Sequence, residues 1–206
     1  MFTGEVLEER FGYQFSYKAT TAINFAEEEA RRFNHYYVGT EHLLLGLLKQ
    51  GVPPALESLK IDTKRCKEDL DFIIGRGAEQ AEPSSELLRL TPRANKIIEL
   101  SISEAIQLAH RQLLPEHLWL GVVREEEGIA GGILMSLGVH YDTMKQQVSK
   151  AFRMETVTNR TLRSLEDLRS FVEDPNQDLA RKVQVKMILD GALGLMFPNI
   201  NPKETS

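Results

Sequence analysis

The sequence predicts an all-α protein: two tandem four-helix units with pseudo-twofold symmetry, followed by a helical C-terminal extension. Three observations predict it. GTEHLLLGLL at 39–48 returns as LPEHLWLGVV at 114–123, 75 residues later. Apolar residues recur at three- and four-residue spacing, without the alternation of a strand. The apolar stripes are separated by short breaks that carry helix start and stop signals, which suits a bundle.

The repeat extends well beyond ten residues. Lys18-Ala19 matches Arg93-Ala94, and Glu29-Ala30 matches Glu104-Ala105, at the same offset. Ser58-Leu59 matches Ser136-Leu137 and Leu70 matches Val148 at an offset of 78. The slip falls at Arg124-Glu125-Glu126-Glu127, which reads as a solvated loop. A repeat of this length is a folding unit. The copies span about 12–77 and 87–153, with a linker near Gly75–Ser85. The expected division is a double-repeat domain over 1–153 and an extension over 154–206.

In the first copy, Ala19, Ala22, Ile23, Ala26, Ala30 and Phe33 make one apolar face, opposite Glu27, Glu28, Glu29, Arg31 and Arg32. Gly39-Thr40 starts the next helix, where Glu41 in the first turn suits the helix dipole. Leu43, Leu44, Leu47 and Leu48 form its stripe, and Gly51 stops it. Val52-Pro53-Pro54 opens a third, short helix with Leu56 and Leu59 inward. Thr63–Ile74 gives a fourth, with Cys66, Leu70 and Ile73 on one stripe. The second copy repeats the plan. Thr91-Pro92 is a cap followed by proline at the first helical position. Ile97, Ile98, Ile102, Ala105, Ile106 and Ala109 supply the apolar face, and Pro115 takes the place of Thr40. Beyond residue 153, Leu162–Val172 and Leu179–Ile188 suggest two more helices before the apolar Leu193, Leu195, Met196 and Phe197. That last run either covers the domain or docks on a partner.

Composition narrows the function classes. The 206 residues are 42% hydrophobic, enough for an ordinary core. Thirty acidic and 25 basic residues leave a net charge of −5 with no basic block, so no nucleic-acid footprint is read. One cysteine, Cys66, excludes a disulfide framework and suits a reducing, cytoplasmic setting. The opening MFTGEVLEERFG does not read as a secretory signal, and no apolar run approaches a membrane span, so no membrane partner is expected.

Four motifs carry a family resemblance: VGTEHLLLGLLKQG at 38–51, IIGRGAEQ at 73–80, LTPRANKIIELSISEA at 90–105, and LPEHLWLGVVREEEGIAGGILMSLGV at 114–139. Together they resemble the double Clp N-terminal (Clp R) repeat, the substrate- and adaptor-binding domain of Clp AAA+ unfoldases, and most closely that of the C-type, ClpC. The resemblance covers about residues 10–153. Unfoldases of this kind carry ATPase modules with a GxxxxGK[ST] phosphate loop. No Gly-Lys dipeptide occurs in these 206 residues, so a non-enzymatic chain without ATPase modules or cofactors is expected, either a stand-alone Clp-repeat protein or a fragment of something larger.

The resemblance implies a role in Clp proteolysis. The partners would be an unfoldase or protease ring, adaptors or substrates. It also implies paired sites for phosphorylated arginine. Carried over by position, the ligand-contacting residues are Glu41 with Ser16 in the first copy and Glu116 with Thr91 in the second. A carboxylate would pair with the guanidinium, while hydroxyls and helix N-terminal amides would take the phosphoryl oxygens. The alternative function is an independent sensor or regulator that reuses the fold, with the extension as effector. His42 and His117 lack metal-site spacing and read as helix-start histidines packed between the copies. Cys66 reads as a small buried hydrophobe, and Trp119, which replaces Leu44, as core.

Overall fold

The computed structural model describes residues 1–77, 87–154 and 186. The chain divides after Ala151, and nearly all described residues belong to the first unit. The expected helices and apolar run beyond residue 154, and most of the linker, lie outside the described residues.

In the first copy, helix α2 (Tyr17–Arg32) is followed by α3 (Thr40–Gln50), a 3-10 helix (Pro54–Leu59) and α4 (Thr63–Ile73). In the second, α5 (Pro92–Gln107), α6 (Pro115–Arg124), α7 (Ile129–Ser136) and α8 (141–154) take the same order. Caps set the starts. Ser16 Oγ accepts the Ala19 N–H and Thr91 Oγ1 accepts the Ala94 N–H, while Asp62 caps α4 through the Arg65 N–H. Pro92 and Pro115 sit where no helical hydrogen bond is lost. Both α2 and α5 end in a left-handed residue at equivalent positions, Asn34 and Ala109, with φ of 59° and 56°.

The apolar faces of α2 and α5 are small-residue seams, and the repeated glycines explain why. A Cβ at Gly46 would overlap the Ala22 carbonyl and the Ala26 amide of α2. A Cβ at Gly121 would overlap the Ile97 carbonyl and Ser101 Oγ of α5. Each glycine lets two helix backbones touch. The leucines around Gly46 are then buried on every side, Leu45 included, so α3 is a core helix rather than a striped one. Ala22, Ile23, Leu43 and Leu47 of the first copy meet Ile97, Leu118 and Val122 of the second in one interior seam. Trp119 is fully buried, as is Leu44. Truncating either to alanine removes packing worth about 3–5 kcal/mol.

Three features differ from the expectation. An N-terminal helix, α1 (Gly4–Phe11), precedes the first copy. Thr3 caps it, Gly12 ends it at φ 66°, and Phe2 and Leu7 are buried at the two positions of a hydrophobic staple. Ile73 points outward at 49% exposure while Ile74 is buried, because α4 ends at Ile73 and the chain turns extended there. Leu59 is only half-buried, since the 3-10 turn places it differently from an α-helical residue.

Four two-residue strands tie the copies together. β1 (Gln14–Phe15) pairs parallel with β4 (Gln112–Leu113), and β2 (Tyr37–Val38) pairs parallel with β3 (Arg89–Leu90). Exchanging the copies exchanges the two pairs. Ser16 N–H donates to Leu113 O and Thr91 N–H donates to Val38 O, each at 3.0 Å. Strands this short leave no alternation to read in the sequence.

Candidate functional site

The strand pairs decide which helix starts meet. Thr91 is bonded to Val38, one residue before the Gly39 cap of α3. Ser16 is bonded to Leu113, one residue before the Leu114 cap of α6. The start of α5 therefore lies beside Glu41, and the start of α2 beside the turn that carries Glu116. The within-copy pairs expected from sequence, Glu41 with Ser16 and Glu116 with Thr91, are exchanged: Glu41 goes with Thr91 and Glu116 with Ser16. The cause is the swapped strand pairing, a long-range register that no local motif encodes.

The first cleft holds about 480 Å³. Gly39, Thr40 and Glu41 form one wall, Thr91, Pro92 and Arg93 a second, and Glu127, Gly128 and Ile129 a third. Three helix N-termini, those of α3, α5 and α7, open onto it, a setting that favours negative charge on a ligand. The Glu41 carboxylate is mostly buried and lies over Gly39, where any Cβ would overlap it. Thr40 Oγ1 lies 3.4 Å from Glu41 Oε2. Thr91 Oγ1 accepts the capping bond from the Ala94 N–H.

At the equivalent junction, the β1–β4 pairing brings Ser16, at the start of α2, beside Leu113, two residues before Pro115 and three before Glu116 at the start of α6. Each site loses one first-turn amide to proline, Pro92 in the first and Pro115 in the second.

Behind each glutamate stands a pair of histidines. Gly39 N–H donates to His42 Nδ1 at 2.9 Å, and His42 Nε2 lies 2.9 Å from His35 Nδ1. His35 Nε2 reaches Gly75 O at 2.8 Å. An amide can only donate, so His42 carries its proton on Nε2 and gives it to His35, which donates in turn to Gly75. The second copy repeats the pattern: Leu114 N–H donates to His117 Nδ1 at 2.9 Å, and His117 Nε2 lies 2.8 Å from His110 Nδ1. Each histidine at the third helical position thus supplies half of a capping box. Burial, with the neighbouring histidine adding to it, pushes both His42 and His117 down to about 3.

The ring contacts of these histidines include partners in their own copy, Phe33, His35 and Tyr37 for His42 and His110 for His117. The reason is the cap itself, which turns the ring back toward its own helix start. His35 and His110 were not singled out in the sequence, yet they recur at the same 75-residue offset, a signal that could have found them. His35, Glu41 and His42 bring possible metal-ligand atoms within 4.8 Å of one another. Both ring nitrogens of His42 are already engaged, so a metal there would displace a cap bond or the inter-histidine bond. Cys66 is buried and its thiol is pushed up to about 11 by burial first and by Asp62 and Asp69 next, which suits an inert core residue.

The Clp repeat (R) N-terminal domain family matches residues 14–108 and 89–162. The chain is 40% identical over 138 residues to the negative regulator of genetic competence ClpC/MecB of Bacillus subtilis, a stretch that covers 66% of this chain and 16% of that protein. It is 41% identical over 150 residues to the chloroplastic chaperone protein ClpC1 of Arabidopsis thaliana, covering 71% of this chain and 15% of that one. The chain thus spans about one sixth of the length of these relatives. In structure it resembles the N-terminal domain of the chaperone ClpD from Arabidopsis thaliana, with a TM-score of 0.55, 21% identity, and coverage of 69% of this chain and 96% of that one. The Hsp104 N-terminal domain from Candida albicans gives a TM-score of 0.53 at 18% identity, covering 65% and 88%. No helix among the described residues is long and apolar enough to cross a membrane.

Proposed function

Because the chain belongs to the Clp repeat (R) N-terminal domain family, we propose that it is a non-catalytic receptor in a Clp unfoldase–protease system and captures substrates or adaptors. We read residues 1–153 as the binding body and 154–206 as a separate extension. The two clefts take arginine side chains phosphorylated on the guanidinium, Glu41 with Thr91 in one and Glu116 with Ser16 in the other. The observation that carries this reading is the placement of a mostly buried carboxylate, Glu41, in a cleft onto which three helix N-termini open. Such a cleft offers a partner to a cation and to an anion a few ångströms apart, which is the charge pattern of a phosphorylated guanidinium.

The test is calorimetry with three peptides of one sequence carrying phosphoarginine, arginine or phosphoserine. Only the first should bind tightly, and Glu41→Ala with Glu116→Ala should weaken it by about 100-fold or more. Unchanged binding in the double variant would end the assignment. Capture from native extract should recover an unfoldase or its protease ring. Recovery of neither would favour an independent regulator.

A further inference from the structure

The first cleft runs on into an apolar groove. Ile129, the first residue of α7, lines both. The groove holds about 370 Å³ between α4 and α7, with Phe72 and Ile73 on one wall and Ile129 and Ile133 on the other. Phe72 is 91% exposed, and Ile73 and Ile129 are exposed beside it. Two adjacent glycines of α7 differ here. A Cβ at Gly131 would overlap the Glu125 carbonyl, whereas a Cβ at Gly132, in the groove, would meet nothing within 4 Å. Gly132 does not hold a positive φ either. A helix-interior glycine lowers stability against alanine, so the fold gains nothing from Gly132. Its effect is a bare groove floor, where another backbone can lie close.

We propose that this groove takes an apolar side chain from the same segment whose arginine enters the first cleft. The first cleft then selects phosphoarginine with a leucine-sized residue two positions away. The register follows from the helix. Ile129, Gly132, Ile133 and Ser136 run along α7 for roughly 10 Å, starting at the cleft. An extended chain rises about 3.3 Å per residue and returns to the same face every second residue. A side chain two positions from the arginine therefore lies about 7 Å along α7, beside Gly132 and Ile133. The size of the groove fits a peptide rather than a second copy of this chain. Seven described residues line it, against roughly 20–30 a side in a stable protein–protein interface.

This inference rests on the reading of the first cleft as a phosphoarginine site, and the experiment separates the two. Isoleucine methyl NMR of the full chain follows three peptides of one sequence. The first carries phosphoarginine with leucine at both second neighbours, the second phosphoarginine with serine there, and the third unphosphorylated arginine with leucine. Ile129 reports cleft and groove together, and Ile133 the groove alone. The phosphorylated leucine peptide should shift both signals and bind roughly tenfold tighter than the serine peptide, which should shift Ile129 alone. Gly132→Leu fills the groove and should bring the leucine peptide down to the affinity of the serine peptide, whose own affinity stays. Phe72→Ser, at a side chain outside the core, should cut the preference in the same direction, and it carries the test should Gly132→Leu not fold. Equal affinity for the two phosphorylated peptides, or a preference that survives both substitutions, overturns the groove and leaves the cleft reading standing. Leucine peptides that bind alike with and without phosphate, shifting Ile133, retain the groove and overturn the proposed function. Self-association of the free chain that Phe72→Ser abolishes gives the groove to a second copy and overturns the inference.

Discussion

Where the second helix of each copy ends, the two copies place the same charges differently. In the first, Lys49 sits between Glu28 at 2.7 Å and Glu29 at 3.7 Å, near the surface. In the second, the equivalent Arg124 bonds Glu104 at 2.8 Å, and Glu104 has no exposed side-chain surface. Tyr141 OH and Lys145 also donate to it. The Tyr141 hydroxyl is pushed up to about 12, by burial first and by its bond to Glu104 next. The difference teaches that the duplication preserved the cation and one carboxylate, Lys49 with Glu29 and Arg124 with Glu104, but not Glu28, whose counterpart is Ser103, nor their solvent. One copy kept a surface pair and the other enclosed it under α8.

The comparison breaks most sharply at Glu104. Glu104→Ala leaves Lys145 and Arg124 without their shared acceptor and should cost about 3–5 kcal/mol. Glu29→Ala, at the equivalent position, should cost less than about 1 kcal/mol. Urea unfolding of the two variants measures the gap, and equal losses would deny that burial separates the copies.

The helix seams come next. Gly46→Ala forces a methyl against the α2 backbone on two sides, and about 1–3 kcal/mol should be lost. Gly121→Ala meets one flexible partner, Ser101 Oγ, as well as the Ile97 carbonyl. Ser101→Ala should therefore relieve part of the Gly121→Ala loss and none of the Gly46→Ala loss, as a double-mutant cycle would show.

Acid should then strike both copies alike. His42 and His117 titrate near 6.5 when unfolded and at about 3 when folded. Below pH 6.5 the unfolded chain takes up protons that the folded chain refuses, so stability falls as pH drops from 6.5 toward 3. At pH 5 each histidine should cost about 2 kcal/mol. His42→Gln and His117→Gln should each flatten the slope of stability against pH, and a slope unchanged by both would refute the neutral caps. The smallest effect is at the ends of α2 and α5. Ala109 holds the left-handed conformation that Asn34 tolerates better, so Ala109→Gly should gain up to about 1 kcal/mol while Asn34→Gly changes little, measured by Tm.

Much of this was legible in the sequence because local chemistry encodes it. The 75-residue echo, the cap at Thr91, the core role of Trp119 and the packing of Cys66 all follow from residue type and spacing. The exchanged partnership of Glu41 with Thr91 did not, because two-residue strands carry no periodicity and their pairing is set by how the copies pack. The histidine pairs were half legible, with His42 and His117 noted but their hydrogen-bond partners at His35 and His110 passed over. α1 was missed because it is only eight residues long, and of its apolar residues and the flanking Phe2 just Phe2 and Leu7 are buried. Ile73 was misplaced because one residue at a helix end decides which of two isoleucines turns inward.

The exchanged strands also bear on ancestry. Each copy completes its neighbour's site and supplies half of the shared interior, so a single copy would expose that interior and hold two half-sites. A gene encoding one copy would gain the same cover by forming a symmetric homodimer, with both strand pairs at the subunit boundary. Fusing two such genes would have freed the two halves to diverge, and an acidic loop on one side alone is what such freedom permits.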